Sequence, residues 1–506
     1  PAPAVTSRHV ARGVGTTLLS RIGGIIEIVS QPLYVWLFGL ASFGLYAVLW
    51  AAINLAENIF DLGMTSAMQR TVPQSADDRQ AADALRIALL LGVGPCIIVA
   101  AIICILAEPV SLWLNVADHD RALVAPAIRL FVWALPLWAF VEIATSALRA
   151  RHLFGPEIRL RIVWEQIIRL VLAVAFYLFG WGLTGLFLAH ISSLAITALL
   201  SLRLLARHYR VDLMLSGKIA SPIAVETAKA GLSILPSNMV ARLFGDAPAV
   251  VLNIAIPGAD GARIGGLFTI ARKLSSVVQL VRYAFVYVLA PLASSAERAD
   301  REQVRAIYSY AVRLIMVIAT PLAIVLSAGA VPLLALFGSN AIVARGAVII
   351  LLAARAIEAV LGISLPVLQV VGGLRHQLAA SVAGLVLAII VGWPLMQITH
   401  PLTGATIAVA VGLITAAGIP MWQLKHYEKL GPGGPDMART AVRTLAVCVI
   451  ALPATFGIAL LPDAIALPLV IVTAGGAIWL SMRFALPLAD RQSLGKTARK
   501  LRLIPA

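Results

Sequence analysis

Residues 43–69, FGLYAVLWAAINLAENIFDLGMTSAMQ, form an apolar run long enough to cross a lipid bilayer, and Arg70 follows directly. A membrane-spanning helix needs about 20 mostly apolar residues, and about fourteen runs of this kind succeed one another along the chain. The 506 residues are 60% hydrophobic and only 13% charged, which leaves no room for a soluble domain. The sequence therefore predicts an all-α, polytopic membrane protein.

Lys and Arg collect in every second gap between the apolar runs. The basic gaps contain Arg8 and Arg12; Arg70 and Arg79; Arg149, Arg151, Arg159 and Arg161; Arg203, Arg207, Arg210 and Lys218; Arg298, Arg301 and Arg305; Arg375; Lys425, Lys429 and Arg439; and Arg491, Lys496, Arg499, Lys500 and Arg502. The other gaps hold little beyond Arg121, Arg263 and Arg345. By the positive-inside rule, the basic gaps are cytoplasmic, so we predict that both termini lie inside.

The formal net charge of +16 is dispersed over these short loops beside anionic lipid headgroups, so we do not expect nucleic acid as a partner. The first apolar stretch, from about Gly13 to Phe38, is longer than a signal-peptide core and lacks a cleavage site, so we expect it to be span 1. Cys96, Cys104 and Cys448 lie within apolar runs without disulfide or zinc spacing. We expect them to be packing residues, and we predict no metal and no cofactor.

Two linkers divide the spans. One is the long polar gap from Arg207 to Val225, and the other contains the breaker-rich run from Gly431 to Pro435. We therefore expect an N-terminal lobe of six spans (residues 1–210), a C-terminal lobe of six spans (211–430), two extra helices (431–490) and a basic cytoplasmic tail (491–506).

A short internal sequence repeat, which we call the echo, supports this division. Phe43-Gly44-Leu45-Tyr46 opens span 2, and Gly265-Gly266-Leu267-Phe268 opens span 8. Transporters are commonly built from repeated halves related by a pseudo-twofold axis, with the cargo site between them. The echo therefore favours a pseudo-symmetric transporter.

Span 2 carries a polar stripe. Asn54, Glu57, Asn58 and Asp61 lie at i, i+3, i+4 and i+7, so they share one helical face. A charge at the bilayer centre costs about 2.5–3.5 kcal/mol, so this face must line a cavity or a polar seam. Ion or proton coupling and a salt bridge that holds the halves closed are equally open readings, and a turn role also competes for Asp61.

Span 8 carries a basic stripe of Arg272, Ser275, Ser276, Gln279 and Arg282, with Lys273 adjacent. If the echo is a true repeat, Glu57 and Gln279 occupy corresponding positions, with one wall acidic and the other basic. Span 1 adds Arg21 and Glu27. Because Arg21, Arg272 and Arg282 have no acid three or four residues away, we predict a functional role for them. Lys273 could instead neutralise Asp61 or Glu57.

Other charged residues have the spacing of ion pairs within one helix. These pairs are Arg242 with Asp246, Arg161 with Glu165, Glu165 with Arg169, and Arg355 with Glu358. Such pairs neutralise themselves, and we interpret them as structural. Arg242 also remains a candidate for the cationic lumen.

The stretch from Phe43-Gly44-Leu45-Tyr46 through Phe60-Asp61-Leu62-Gly63-Met64 to Arg70 resembles the second-helix signature of bacterial polysaccharide transporters. These are the Wzx-type lipid-linked oligosaccharide flippases of the multidrug/oligosaccharidyl-lipid/polysaccharide exporter superfamily. The layout of six, six and two spans resembles the same group over nearly the whole chain.

This resemblance implies two six-helix lobes around a cationic lumen in the bacterial cytoplasmic (inner) membrane. It implies alternating access and, as cargo, an oligosaccharide on a polyprenyl pyrophosphate. Arg21 looks like the residue that relatives place in span 1 for the pyrophosphate, and Arg272 and Arg282 look like lumen cations of the second lobe. By similarity to the lipid II flippase branch, the last two spans provide a groove for the polyprenyl tail. Glu27, Glu57 and Asp61 depart from a purely cationic lumen and leave open a proton or sodium counter-ion.

Two rival functions follow from the same residues. A multidrug and toxin extrusion transporter would use Asp61 or Glu57 as its cation site, but it usually has twelve spans and the basic stripe argues against it. A membrane enzyme would need paired acids or a metal cluster in an external loop. Asp118-His119-Asp120 is the best candidate there, and its composition indicates a solvated turn. We therefore predict a transporter and not an enzyme.

Overall fold

The computed structural model describes residues 22–151, 153, 160, 164–210, 212–213, 221–297, 301–371, 374–433 and 435–504. These residues are helical with short connections, and no strand occurs among them. The chain forms two compact units, and the boundary between them falls inside one helix, between Thr269 and Ile270. The predicted all-α membrane fold is therefore confirmed.

The first unit contains α1 to α9 and the beginning of α10. Their bounds are α1 Ile22–Phe38, α2 Leu40–Phe60, α3 Met64–Thr71, α4 Asp78–Ile105, α5 Arg121–Phe131, α6 Ala134–Ala150, α7 Glu165–Leu178, α8 Gly182–His208, α9 Pro222–Ala255 and α10 Ala259–Glu297.

The second unit contains the rest of α10 and α11 to α17. Their bounds are α11 Arg301–Ala328, α12 Arg345–Leu361, α13 Ser364–Val371, α14 Leu374–Ile398, α15 Pro401–His426, α16 Pro435–Ile458 and α17 Asp463–Phe484. Two short helices, Leu488–Ser493 and Lys496–Lys500, form the tail.

A described helix overlaps each of the roughly fourteen predicted spans. In the described part of the chain, eleven helical segments are long and apolar enough to cross a membrane. Among the others, α1 and α7 have only 17 and 14 described residues. The count of fourteen spans, the cytoplasmic termini and the division into six-helix lobes stay predictions.

The run quoted at the outset is two helices, not one. Leu62 and Gly63 have φ angles of 50° and 73°, which end α2 and turn the chain into α3. The Asp61 carboxylate stabilises this turn, because Oδ1 accepts the Gly63 N–H at 2.6 Å and Oδ2 accepts the Thr65 N–H at 3.3 Å. These hydrogen bonds fit the turn role that competes for Asp61, and its coupling role stays a prediction.

The two glycine motifs of the echo meet in the first unit. A Cβ added to Gly44 would lie 2.1 Å from the Ala262 carbonyl oxygen, and one added to Gly266 would lie 2.7 Å from the Gly44 Cα. Small residues permit such close helix crossings in membranes. The echo therefore marks the place where α2 and α10 pack backbone against backbone.

In the second unit, α11 packs against α12, α16 and α17. Val325 of α11 forms an apolar cluster with Ala451 of α16 and with Val470 and Ala474 of α17. A bidentate ion pair adds to this packing, because Arg313 donates from Nε to Asp490 Oδ2 at 2.6 Å and from Nη2 to Oδ1 at 3.0 Å. The last two helices and the tail are therefore integral parts of this unit.

Candidate functional site

The polar stripe of α2 is largely buried in the first unit. Asn54, Glu57 and Asp61 are 7%, 3% and 4% exposed. Asn58 donates from Nδ2 to Glu57 Oε2 at 2.8 Å and to the Asn54 carbonyl oxygen at 3.1 Å. The stripe is thus a hydrogen-bonded polar seam, and part of its acceptor capacity is occupied by its own neighbours.

Helix α9 also brings polar groups into the first unit. Asn238 donates from Nδ2 to Ser66 Oγ at 3.1 Å, and Asp246 is only 2% exposed. Arg242, one turn before Asp246, is exposed. The pairing of Arg242 with Asp246 and the lumen role of Arg242 stay predictions.

The basic stripe of α10 contains residues with different surroundings. Ser275 and Ser276 donate to the carbonyl oxygens of Arg272 and Lys273, at 2.8 and 2.6 Å. Their hydroxyl groups are thus already bonded within the helix. Arg272 and Lys273 are half-buried, and Gln279 donates from Nε2 to Tyr283 Oη at 2.8 Å.

Arg282 lies at the centre of a buried ionic triad. Its Nη1 donates to Glu358 Oε1 at 2.7 Å, and Arg355 Nη1 donates to Glu358 Oε2 at 2.7 Å. The side chains of Arg282, Glu358 and Arg355 are 16%, 7% and 6% exposed. One carboxylate thus faces two guanidinium groups, and the triad carries one net positive charge.

The triad leaves hydrogen-bond donors unused. Nε of Arg282 and Nε of Arg355 are both buried, and neither has a hydrogen-bond partner in the described part of the chain. Buried polar groups are normally hydrogen-bonded, so these two donors beside a net positive charge are candidates to bind an anion or water. Gly362 lies against this group, because a Cβ there would be 2.8 Å from Arg282 Nη1.

The sequence identified the Arg355–Glu358 pair, and the structure confirms it. It missed that Arg282 shares the same carboxylate, because the search for an acid three or four residues away covers only one helix. Glu358 lies 76 positions from Arg282 along the chain. A suitable acid was thus already present in the sequence, although nothing in the spacing connects it to α10.

The neighbouring cleft between α11 and α12 is apolar and about 350 Å³ in volume. Ala353, Ala356 and Val360 line it from α12. By helical periodicity, Arg355 and Glu358 lie on the opposite face of α12. The cleft and the triad are therefore separate features of the second unit.

The first unit contains a polar centre that sequence reasoning missed. His190 of α8 is completely buried, and its Nδ1 lies 2.8 Å from Tyr46 Oη. Its ring packs against Trp50, with centroids 4.2 Å apart, and against Phe131, with centroids 5.3 Å apart. Its Nε2 is buried without a hydrogen-bond partner among the described residues.

A buried ion pair of α7 contacts α8 one helical turn after this histidine, at Ser193. Arg169 forms a salt bridge with Glu165, as predicted from their spacing, and donates from Nε to Ser193 Oγ at 3.4 Å. Arg169 and Glu165 are 5% and 1% exposed. The partners of His190 come from α2 and α5, so no local sequence signal could have predicted this centre.

Three predictions on charged residues fall outside the described residues. Arg21 precedes α1, and Arg161 precedes α7. Glu27 lies within α1, but its side chain is outside the described part. Their proposed roles stay predictions.

The arrangement of apolar helices with buried charges matches one protein family. The profile of the polysaccharide biosynthesis protein family matches residues 37–341, more than half of the chain. The chain belongs to this family. A comparison with curated protein sequences gives no match.

Solved structures support the same fold. The lipid II flippase MurJ in an inward closed conformation has a TM-score of 0.69 and 12% identity, with 92% of this chain and 96% of that chain covered. An inward-facing multidrug resistance MATE transporter of the MOP superfamily has a TM-score of 0.62 and 18% identity, with 85% and 96% covered. A mutant of the Vibrio cholerae MATE transporter VcmN has a TM-score of 0.59 and 14% identity, with 84% and 98% covered.

The family and these folds confirm the resemblance to polysaccharide transporters of the MOP superfamily. The protein is therefore a multi-pass membrane protein of the polysaccharide biosynthesis family, with a fold similar to those of MurJ and the MATE transporters. Its structural neighbours are transporters and flippases rather than enzymes.

Proposed function

We propose that this protein is a flippase that moves a polyprenyl-pyrophosphate-linked oligosaccharide from the cytoplasmic to the outer leaflet. The process would work by alternating access and would serve cell-surface polysaccharide biosynthesis. The family and the fold of a lipid II flippase support a lipid-linked cargo. The observation that carries the proposal is the triad of Arg282, Glu358 and Arg355.

The chemistry of the triad suits a pyrophosphate. A pyrophosphate needs several donors and positive charge to leave water, and guanidinium groups stay charged and provide directed N–H donors. Arg282 and Arg355 have buried Nε donors that no described group uses. Glu358 holds both side chains in place, so little conformational entropy remains to be lost when the anion binds.

Arg21, Arg272, Lys273, Gln279 and Arg242 are the further residues that we assign to a cationic lumen. Gln279 lies one turn before Arg282, and Tyr283 orients its amide. Arg272 and Lys273 lie about two turns before Gln279 in α10. These polar groups are thus spread along the helix axis, as the binding of an extended headgroup would require.

We assign coupling or gating to Glu27, Asn54, Glu57, Asn58 and Asp61. Glu57 is the strongest of these, because it is buried and Asp61 already bonds the backbone of α3. Export of an anion from a negative interior is favoured by about 2.3 kcal/mol per charge and 100 mV. A cation that enters would therefore serve chiefly to reset the carrier.

A liposome assay with a fluorescent polyprenyl-pyrophosphate sugar tests the proposal. Arg282→Ala and Arg355→Ala should each slow flipping at least about tenfold, since a charge-assisted hydrogen bond contributes about 1.5–3 kcal/mol. Arg345→Gln is the matched control, because this arginine begins the same helix, α12, but is exposed. Normal flipping by both triad variants, with the control also normal, would exclude the triad as the cargo site.

A multidrug and toxin extrusion activity is the second candidate. It is favoured by the buried carboxylates of α2 and by the fold of the MATE transporters. A lipophilic cation that stabilises the purified protein, with the effect lost in Glu57→Gln, would support it. Stabilisation by the pyrophosphate lipid, with the effect lost in Arg282→Ala, would support the flippase, because a ligand of the folded state raises its stability.

A further inference from the structure

The end of the second unit contains a cluster of arginines that the proposed transport does not use. Arg443 of α16 donates from Nη1 to the Phe484 carbonyl oxygen at 3.4 Å. Arg483 of α17 donates from Nη1 to the Arg502 carbonyl oxygen at 2.7 Å. Arg443, Arg483 and Arg502 are thus joined through successive backbone contacts, and we call them the arginine cluster.

The backbone of the tail is held firmly at this cluster. Trp479 donates from Nε1 to the Leu501 carbonyl oxygen at 2.8 Å, and Arg491 donates from Nη1 to the Leu503 carbonyl oxygen at 3.1 Å. The Leu503 side chain is only 1% exposed. The tail therefore folds back onto the last turns of α17, and Arg502 has a defined position.

The arginine cluster has no counter-charge among the described residues. None of Arg443, Arg483 and Arg502 forms an ion pair with a carboxylate in the described part of the chain. The nearby Asp436 pairs instead with Arg439, and Asp490 pairs with Arg313. Each guanidinium group of Arg443 and Arg483 uses one donor on a carbonyl oxygen, which orients it and leaves its other N–H groups for a ligand.

Exposed apolar residues directly neighbour these arginines in the sequence. Val442 is 66% exposed, Phe484 is 56% exposed and Leu501 is 45% exposed. Trp479 lies beneath Arg483, with the guanidinium carbon 5.2 Å from its ring centroid. A positive site beside apolar surface and tryptophan is typical of the level at which lipid headgroups lie.

We propose that the arginine cluster binds the phosphate of an anionic membrane phospholipid, such as phosphatidylglycerol or cardiolipin. The guanidinium groups receive the phosphate oxygens, and the acyl chains lie along Val442, Phe484 and Leu501. The bound lipid supplies the counter-charge that the described residues lack there, and it fastens the tail to α16 and α17.

A membrane phospholipid fits better than the cargo for two reasons. The cluster is open at the surface of the unit, where bilayer lipids are abundant, whereas the donors of Arg282 and Arg355 are buried. The cluster also lies among the basic residues of the predicted cytoplasmic side, where anionic lipids attract Lys and Arg. The site does not depend on the identity of the transported molecule.

The test measures thermal unfolding of the purified full-length protein in detergent, with added phosphatidylglycerol or with phosphatidylcholine of the same acyl chains. Phosphatidylglycerol alone should raise the Tm. The variant R443Q/R483Q/R502Q should lose this rise, with the apparent affinity falling about fivefold for each cation removed. Native mass spectrometry should show the same loss of retained phosphatidylglycerol.

Three control variants keep the test decisive. R70Q/R203Q/R207Q removes three exposed arginines from the first unit and should keep the full response. R443K/R483K/R502K keeps the charge and should retain most of it, and the single variant Arg502→Gln serves if the triple variant does not fold. Arg282→Ala should respond normally, which separates this site from the cargo site.

Three outcomes would overturn the proposal. An unchanged response in R443Q/R483Q/R502Q would exclude the cluster. An equal loss in R70Q/R203Q/R207Q would mean that lipid recognition follows total charge only. A response of the cluster to polyprenyl pyrophosphate and none to phosphatidylglycerol would assign the cluster to the cargo.

Discussion

The polar stripe of α2 and the basic stripe of α10 look alike in the sequence, but their side chains use their hydrogen-bonding groups differently. Asp61 uses both carboxylate oxygens on the backbone of α3 and the turn before it. Arg282 and Arg355 share one carboxylate and keep buried donors that nothing in the described residues fills. A buried charge is therefore a stronger candidate for ligand binding when its own fold leaves donors or acceptors unused.

The largest effect expected from this comparison concerns Glu358. Glu358→Ala would leave two buried guanidinium groups without their carboxylate and should destabilise the second unit by about 3–5 kcal/mol. Thermal or chemical unfolding in detergent would measure this loss. Glu108→Ala removes a carboxylate from the exposed pair with Arg129 and should change little. A Glu358→Ala protein as stable as the unmodified protein would mean that the triad is hydrated.

A smaller effect is expected for Asp61. Asp61→Ala should cost about 0.5–2 kcal/mol, because the N–H groups at the start of α3 lose their acceptor. Asp61→Asn keeps an acceptor oxygen and should keep most of that stability while removing the charge. Unfolding and flipping should be measured on the same preparations. Normal flipping by Asp61→Asn would confine Asp61 to the turn, whereas loss of flipping with normal stability would give it the coupling role.

The smallest effect is expected for an ion pair outside the membrane-spanning helices. Arg210 donates to Asp212 at 2.7 Å and holds the pKa of this carboxyl below its usual value. The pair would thus favour the folded state at neutral pH and lose this contribution as the pH falls through the lowered pKa. Both side chains are exposed, and solvent screens their interaction. The Asp212→Asn variant should therefore have the same Tm as the unmodified protein, at acid pH and at neutral pH. A clear drop only at neutral pH would show that an exposed pair on this protein matters as much as a buried one.

Local patterns predicted much of the fold and part of the site. The apolar runs correctly predicted helices, because a segment in lipid must form its backbone hydrogen bonds internally and a helix does so. The spacing of Glu165 and Arg169, and of Arg355 and Glu358, predicted both ion pairs, because three or four residues bring side chains onto one face. The polar stripe of α2 was identified for the same reason, and its main members are buried.

The sequence by itself determined the all-α membrane class and the pairs within single helices, since these depend on composition or on helical periodicity, and it carried the family resemblance through a local motif in residues 43–70. Only the tertiary structure decided that Arg282 shares Glu358, that His190 meets Tyr46, and that Arg443 and Arg483 bond the backbone of Phe484 and Arg502. These contacts join residues far apart in the chain. They arise from helix packing, which brings together faces that no local period relates.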